Sequence, residues 1–220
     1  MKLESATLRY VRGPRTVPRK LRALLAVDPS GVLDQRVQTD FSKGWEELAS
    51  SDYLVAPSVP RLDAVVVVQE PGAALPTAIE SKVCGASNIL FFLAKQCGLD
   101  GKNAMQEIDC ASLDAVSDAI VDAVAQCPPE QRATPMGRRG WLERHCARNL
   151  EALNLVARAN DPSARFVVGH SLSVADVCCW ACLKCVEGFD AGYVQLRFPH
   201  LYQFAASFEQ RHSAKLSTVP

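Results

Sequence analysis

The chain has 220 residues, of which 48% are hydrophobic and 22% charged, enough for one compact domain or two small ones with a buried core. Its 24 basic and 24 acidic residues cancel, which argues against a general polyanion binder. The balance is uneven along the chain: residues 1–22 carry seven Lys/Arg against Glu4 alone, so a net +6 start faces a net −6 remainder. That start is too densely charged for a secretory signal, and no apolar run approaches the ~18 residues of a spanning helix. Nine cysteines, an odd number without a regular framework, suit a reducing compartment. A soluble, cytoplasmic protein is expected.

The first hundred residues mix strand and helix signals. Residues 6–11 are β-compatible and are broken at Gly13-Pro14. Residues 17–27 place Leu21, Leu24 and Leu25 at helical spacing. A turn at Asp28-Pro29-Ser30-Gly31 precedes a short strand predicted over residues 32–38. Residues 64–68, Ala-Val-Val-Val-Val, are the most strand-like run, and Pro71-Gly72 is a hairpin-type break. A helix over residues 87–97 should end at Gly98 in the position after the cap. The order β-α-β then β-β-α suits a small mixed sheet with helices packed on it. From Lys102 onward the strand signal disappears. Helices are predicted over residues 104–126, stopped by Pro128-Pro129, and over 140–159, with Leu142, Cys146, Leu150, Leu153 and Ala157 on one face. Further helices begin at Ser173 and after Pro199.

Ser173-Val174-Ala175-Asp176 opens an apolar run as a capping box, with Gly169 allowing a sharp turn before it. Its expected role is structural. Cys178, Cys179, Cys182 and Cys185 follow, the last three with a spacing that iron–sulfur proteins use. On a continuous helix they fan apart and read as small core hydrophobes, so no metal site is expected. Tyr10 could donate a hydroxyl to a thiolate or oxyanion, although an ordinary half-buried strand tyrosine is the favoured reading. His145 beside Cys146 has no acid placed to complete a nucleophilic arrangement, and His170 and His200 look like surface residues. No phosphate loop, dinucleotide fingerprint or zinc-protease motif occurs.

Together Val59-Pro60, the helix Asn88-Ile89-Leu90-Phe91-Phe92-Leu93-Ala94 and the run from Val168 to Asp176 resemble the glutathione transferase superfamily. The resemblance spans the chain to about residue 212 and implies an α+β fold: a thioredoxin-like αβ half, residues 1–98, and an all-α half, residues 99–220. Within that superfamily the chain resembles the N-terminal module of eukaryotic glutamyl-tRNA synthetases, through Ala23-Leu24-Leu25-Ala26-Val27, the stretch from Gly98 to Asp109, and Gly169 to Lys184. The last stretch is shared with scaffold proteins of multisynthetase complexes. Such modules bind other transferase-like modules and do no glutathione chemistry.

The resemblance also implies where glutathione would bind. An active transferase holds the γ-glutamyl group with an acidic or amide residue and a serine just before this helix; aligned on Ile89 and Leu93, that pair falls at Gly85-Ala86. Glu80-Ser81 has the right letters about five residues too early. No catalytic residue and no cofactor are therefore expected, the alternative being a transferase using Tyr10 with Glu80 and Ser81. Partners implied are transferase-like domains of synthetases or scaffold proteins, or a second copy of the chain, through an exposed Leu90-Phe91 pair. Arg12, Arg15, Arg19 and Lys20 are candidate RNA contacts, with tRNA contact weak at most. No HIGH-type or KMSKS-type signature appears, so these residues alone would not charge tRNA. The ending Thr218-Val219-Pro220 is compatible with a linker or with a complete small protein.

Overall fold

The valine run forms the centre of strand β3 (Arg61–Val68) in a four-stranded sheet with β1 (Lys2–Arg9), β2 (Val37–Asp40) and β4 (Thr77–Cys84), ordered β2-β1-β3-β4. The computed structural model describes residues 2–9, 19–31, 33, 36–40, 61–68 and 77–216. They fall in two compact units, one within Met1–Gly98 and one spanning Leu99–Leu216. Tyr10, Arg12, Arg15, Val59-Pro60 and Pro71-Gly72 lie outside the described residues.

In the first unit β1 pairs parallel with β2, Ala6 opposite Val37, and antiparallel with β3, Ala6 opposite Ala64. A parallel pair needs a crossover, and helix α1 (Arg19–Val27) supplies one, burying Leu21, Ala23, Leu24 and Val27. The strand expected over residues 32–38 begins only at Val37, and Leu33 and Arg36 are helical. Asp28 explains the difference. Its buried carboxylate accepts from the amides of Ser30 and Leu33, each at 2.8 Å, and so starts a helical turn where β-propensity alone favours a strand. Antiparallel β4 completes the sheet, and helix α2 (Ala86–Gln96) ends at Cys97, with Gly98 at φ +70° as expected.

The second unit is helical: α3 (Ala104–Ala125), α4 (Pro129–Arg132), α5 (Pro135–His145), α6 (Ala147–Asn160), α7 (Val174–Phe189), α8 (Tyr193–Arg197) and α9 (Pro199–Leu216). The single helix expected over 140–159 is two helices separated at Cys146 (φ −117°, ψ −26°). Nothing in the sequence near Cys146 marks the break. The buried face continues across it, because Leu142, Cys146, Leu150, Leu153 and Ala157 are all buried. Helix α5 also starts earlier than expected, where Thr134 Oγ1 accepts from the Gly137 amide at 3.0 Å and Pro135 occupies the first turn.

Helix α7 lies at the centre of this unit, packed against α3, α8 and α9 with most of its surface buried. Cys178, Cys179, Cys182 and Cys185 all lie on this one continuous helix, the first three buried and Cys185 half-buried. The Cys178 thiol donates to Asp114 Oδ1 at 3.2 Å, and burial pushes the Cys182 thiol well above its ordinary range. These cysteines are core.

Asp176 anchors the start of α7. Its carboxylate is fully buried and accepts from the Val167 amide (2.8 Å), the Ser173 amide (2.8 Å) and the Ser173 hydroxyl (3.0 Å), within a capping box. The Val174 amide donates to Leu99 O at 2.7 Å, tying the helix start to the beginning of the unit. Gly169, at φ +62°, turns the chain into the box; a Cβ there would stand 2.8 Å from Gln106 Nε2.

Removing the Asp176 carboxylate leaves two backbone amides without their acceptor inside the core. Asp176→Ala should lower unfolding stability by about 2–4 kcal/mol, measured by urea denaturation. The pH dependence has a definite sign. Burial raises the Asp176 carboxyl to about 7, above its unfolded value, with the Val167 and Ser173 hydrogen bonds opposing the rise. Its contribution is fully present below the ordinary carboxylate range and declines as pH rises through about 7. The stability gap between wild type and Asp176→Ala should therefore be larger at pH 5 than at pH 8. A gap that widens with pH would contradict this.

Candidate functional site

In the first unit the chemistry-bearing residues meet at the start of α2. The helix opens at Ala86 with Gly85 as its N-cap, a residue without a side chain to cap it. A helix start carries a positive dipole end, which favours an anion. Among the described residues Lys20 of α1 reaches this turn: it is only 7% exposed, and its Nζ donates to Ser87 Oγ at 3.1 Å. The amphipathic lysine stem packs in the α1 core while its ammonium reaches the second helical position of α2.

Glu80 and Ser81 are in the interior of β4, opposite Val65 and Ala64 of β3, and the Glu80 side chain is exposed. They are held in the antiparallel ladder, four or more residues before the helix opens. The described residues thus bring Lys20 and Ser87 together at the helix start and leave Glu80 and Ser81 on the strand.

Two sequence expectations need correction. Lys20, a candidate RNA contact, is buried and its Nζ donates to Ser87 Oγ, so it is not on an open basic surface. Leu90 was expected to face outward with Phe91; Leu90 is fully buried with Ile89, Leu93 and Ala94, and Phe91 is half-buried. The inward arc of α2 is wider than the motif spacing suggested, because four apolar residues at 89, 90, 93 and 94 fill two adjoining rows of the helix. Arg19 is half-exposed at the start of α1. Ser87 was missed, although its place at the second position of a helix without a polar N-cap was a readable signal.

In the second unit His145 is exposed and His170 is exposed, while His200 is half-buried. Among the described residues no three His, Cys, Asp or Glu side chains are grouped to hold a metal ion, and no helix is long and apolar enough to cross a membrane.

Residues 118–215 match the family described as glutathione S-transferase, C-terminal domain. No curated protein sequence matches the chain. Its fold is similar to that of a sigma class glutathione transferase from Fasciola hepatica (TM-score 0.72, 15% identity, covering 98% of this chain and 97% of that one). It is similar as well to rat hPGDS, solved in complex with a quinoline (TM-score 0.67, 13% identity, 98% of each chain). A Pi-class glutathione transferase from Onchocerca volvulus gives a TM-score of 0.65 at 14% identity over 97% of this chain and 94% of that one. At such identity the likeness concerns backbone architecture, and side-chain chemistry has to be read from this chain itself. The sheet order, the helical second unit and these matches together establish that the chain has a glutathione transferase-like fold.

Proposed function

We propose that this chain is a transferase-fold interaction module without glutathione chemistry, the N-terminal part of a cytoplasmic glutamyl-tRNA synthetase that docks into a multisynthetase complex. The observation that carries the non-catalytic half of this reading is the start of α2. Gly85 and Ala86 open the helix and offer no hydrogen-bonding side chain, and the acid–serine pair Glu80-Ser81 sits inside β4. A γ-glutamyl group needs carboxylate and hydroxyl partners at the helix start, and one mispositioned by several residues recovers none of that binding. The docking half is supported by the stretches of residues 23–27, 98–109 and 169–184 that resemble synthetase modules.

Within this reading the partner surface includes Phe91, with Leu90 packed behind it rather than beside it. A half-buried aromatic that completes its burial across an interface is a common binding anchor. Other transferase-like domains of synthetases or scaffold proteins are the proposed partners, with self-association as the alternative. If the parent protein is a synthetase, its ATP and tRNA chemistry belongs to a separate catalytic part.

Conjugation of glutathione to a generic electrophile should proceed at the uncatalysed rate. A rate well above background that Tyr10→Phe or Ser81→Ala abolishes would replace this reading with a transferase. Association should be visible by size-exclusion chromatography with transferase-like domains of synthetase-complex proteins. Phe91→Glu should abolish the complex while shifting the unfolding temperature little. Co-elution unaffected by this change places the interface elsewhere, and an equal loss of folding makes Phe91 a core residue.

A further inference from the structure

The second unit carries a basic stripe that the charge count of the whole chain conceals. Arg138, Trp141 and Arg144 of α5 and Arg148 of α6 follow one another at three- and four-residue spacing, with His145 four residues after Trp141 and three before Arg148. On a helix these positions share an arc of ~120° and extend ~15 Å along the axis. The break at Cys146 does not divide them, since the Cys146 amide still donates to Leu142 O at 2.8 Å and the Leu150 amide to Cys146 O at 2.9 Å. Arg144, His145 and Arg148 are exposed, and Arg138 and Trp141 half-buried.

The guanidinium groups are not neutralised. From 138 to 148 four arginines stand against one acid, Glu143, and Arg197 holds that acid at 3.0 Å. Arg139 pairs with Asp190 at 3.2 Å. Among the described residues no carboxylate lies within ion-pair distance of Arg138, Arg144 or Arg148; Arg138 and Arg144 are steadied instead by neutral acceptors, Arg132 O (2.9 Å) and Gln131 Oε1 (2.7 Å). Nearby Glu130 and Glu151 are exposed and flank the stripe without closing on it.

An aromatic pair lies within the row. Trp141 Nε1 donates to Ala123 O at 2.7 Å, fixing its indole against the end of α3, and the His145 ring lies over it with centroids 3.8 Å apart. A held indole thus orients an exposed imidazole between two arginines.

We infer that the Arg138–Trp141–Arg144–His145–Arg148 stripe of α5 and α6 binds single-stranded RNA. Guanidinium groups match phosphate oxygens in bidentate geometry, and three of them in a row follow a backbone. The oriented ring supplies a stacking surface for an unstacked base, which RNA loops and ends offer and an acidic protein surface does not. This surface is independent of the docking role proposed above and lies in the unit opposite in sequence to the basic N-terminal segment.

The test is fluorescence anisotropy of a labelled single-stranded RNA of about 12 nucleotides titrated with the full chain, repeated across salt concentrations. Wild type should bind, with a slope of log K against log salt of about −2, as expected for three phosphate contacts on a single strand. Arg144→Glu with Arg148→Glu should weaken binding at least about tenfold and flatten the slope to about −0.7, with an unchanged circular dichroism melt. Should that variant fail to fold, Arg144→Gln with Arg148→Gln gives the same comparison. A control reversing the exposed Lys95 and Lys102 should bind as wild type does. Absence of wild-type binding at low salt overturns the inference. So does loss in the control equal to that in the stripe variant, tighter binding of the matching DNA, or equal competition by a poly-glutamate peptide of the same charge, which would mark an acidic protein as the ligand.

Discussion

A single buried carboxylate organises the helical unit. Asp176 stands at the start of the central helix, where amides unmatched by the helix itself need acceptors, and its two oxygens supply them. One oxygen reaches back to Val167 and the other holds Ser173, so the loop before α7 and the helix start are set by one side chain. With its beginning fixed, α7 can be apolar on nearly every side and serve as the element against which α3, α8 and α9 pack. Adjacent loops repeat the device: Asp161 accepts from Ser163 and the Arg165 amide after α6, and the Ser163 hydroxyl chiefly holds its carboxyl well below the usual range. A fold specified by such local hydrogen bonds and by a burial pattern tolerates wide sequence change, which is consistent with strong structural likeness at 13–15% identity.

Catalytic groups are not protected in the same way. The αβ unit keeps its sheet order and its α2 helix whether or not the first turn of that helix presents a carboxylate and a hydroxyl. Here Gly85 and Ala86 stand at that turn, and Lys20 makes a buried contact with Ser87. Under the proposed function, the absence of a handful of side chains removes a small-molecule site while leaving faces on which another protein or a nucleic acid can dock. Fold and function separate at this point.

Much of the fold was legible in the sequence because it follows from local chemistry. The valine run made β3, the Ser173–Asp176 spacing made a cap, Gly98 ended α2, and Leu142, Cys146, Leu150, Leu153 and Ala157 all face inward. What was not legible depends on partners distant in sequence or on single competing hydrogen bonds. Asp28 turned an expected strand into a helical start through Leu33. Leu90 is buried because the packing of α2 covers a wider arc than its motif implies, and Lys20 is buried with its ammonium donating to Ser87, 67 positions away. The helix expected from residue 140 already aligns Trp141, Arg144, His145 and Arg148; the earlier start at Thr134-Pro135 adds Arg138 to that row.

The account rests most heavily on the claim that the transferase-like fold persists here without its glutathione site. Isothermal titration of reduced glutathione into the full chain at neutral pH, at concentrations up to several millimolar, examines that claim directly. The account predicts no saturable heat beyond dilution. A saturable isotherm with one site per chain, weakened by Ser81→Ala, would contradict it.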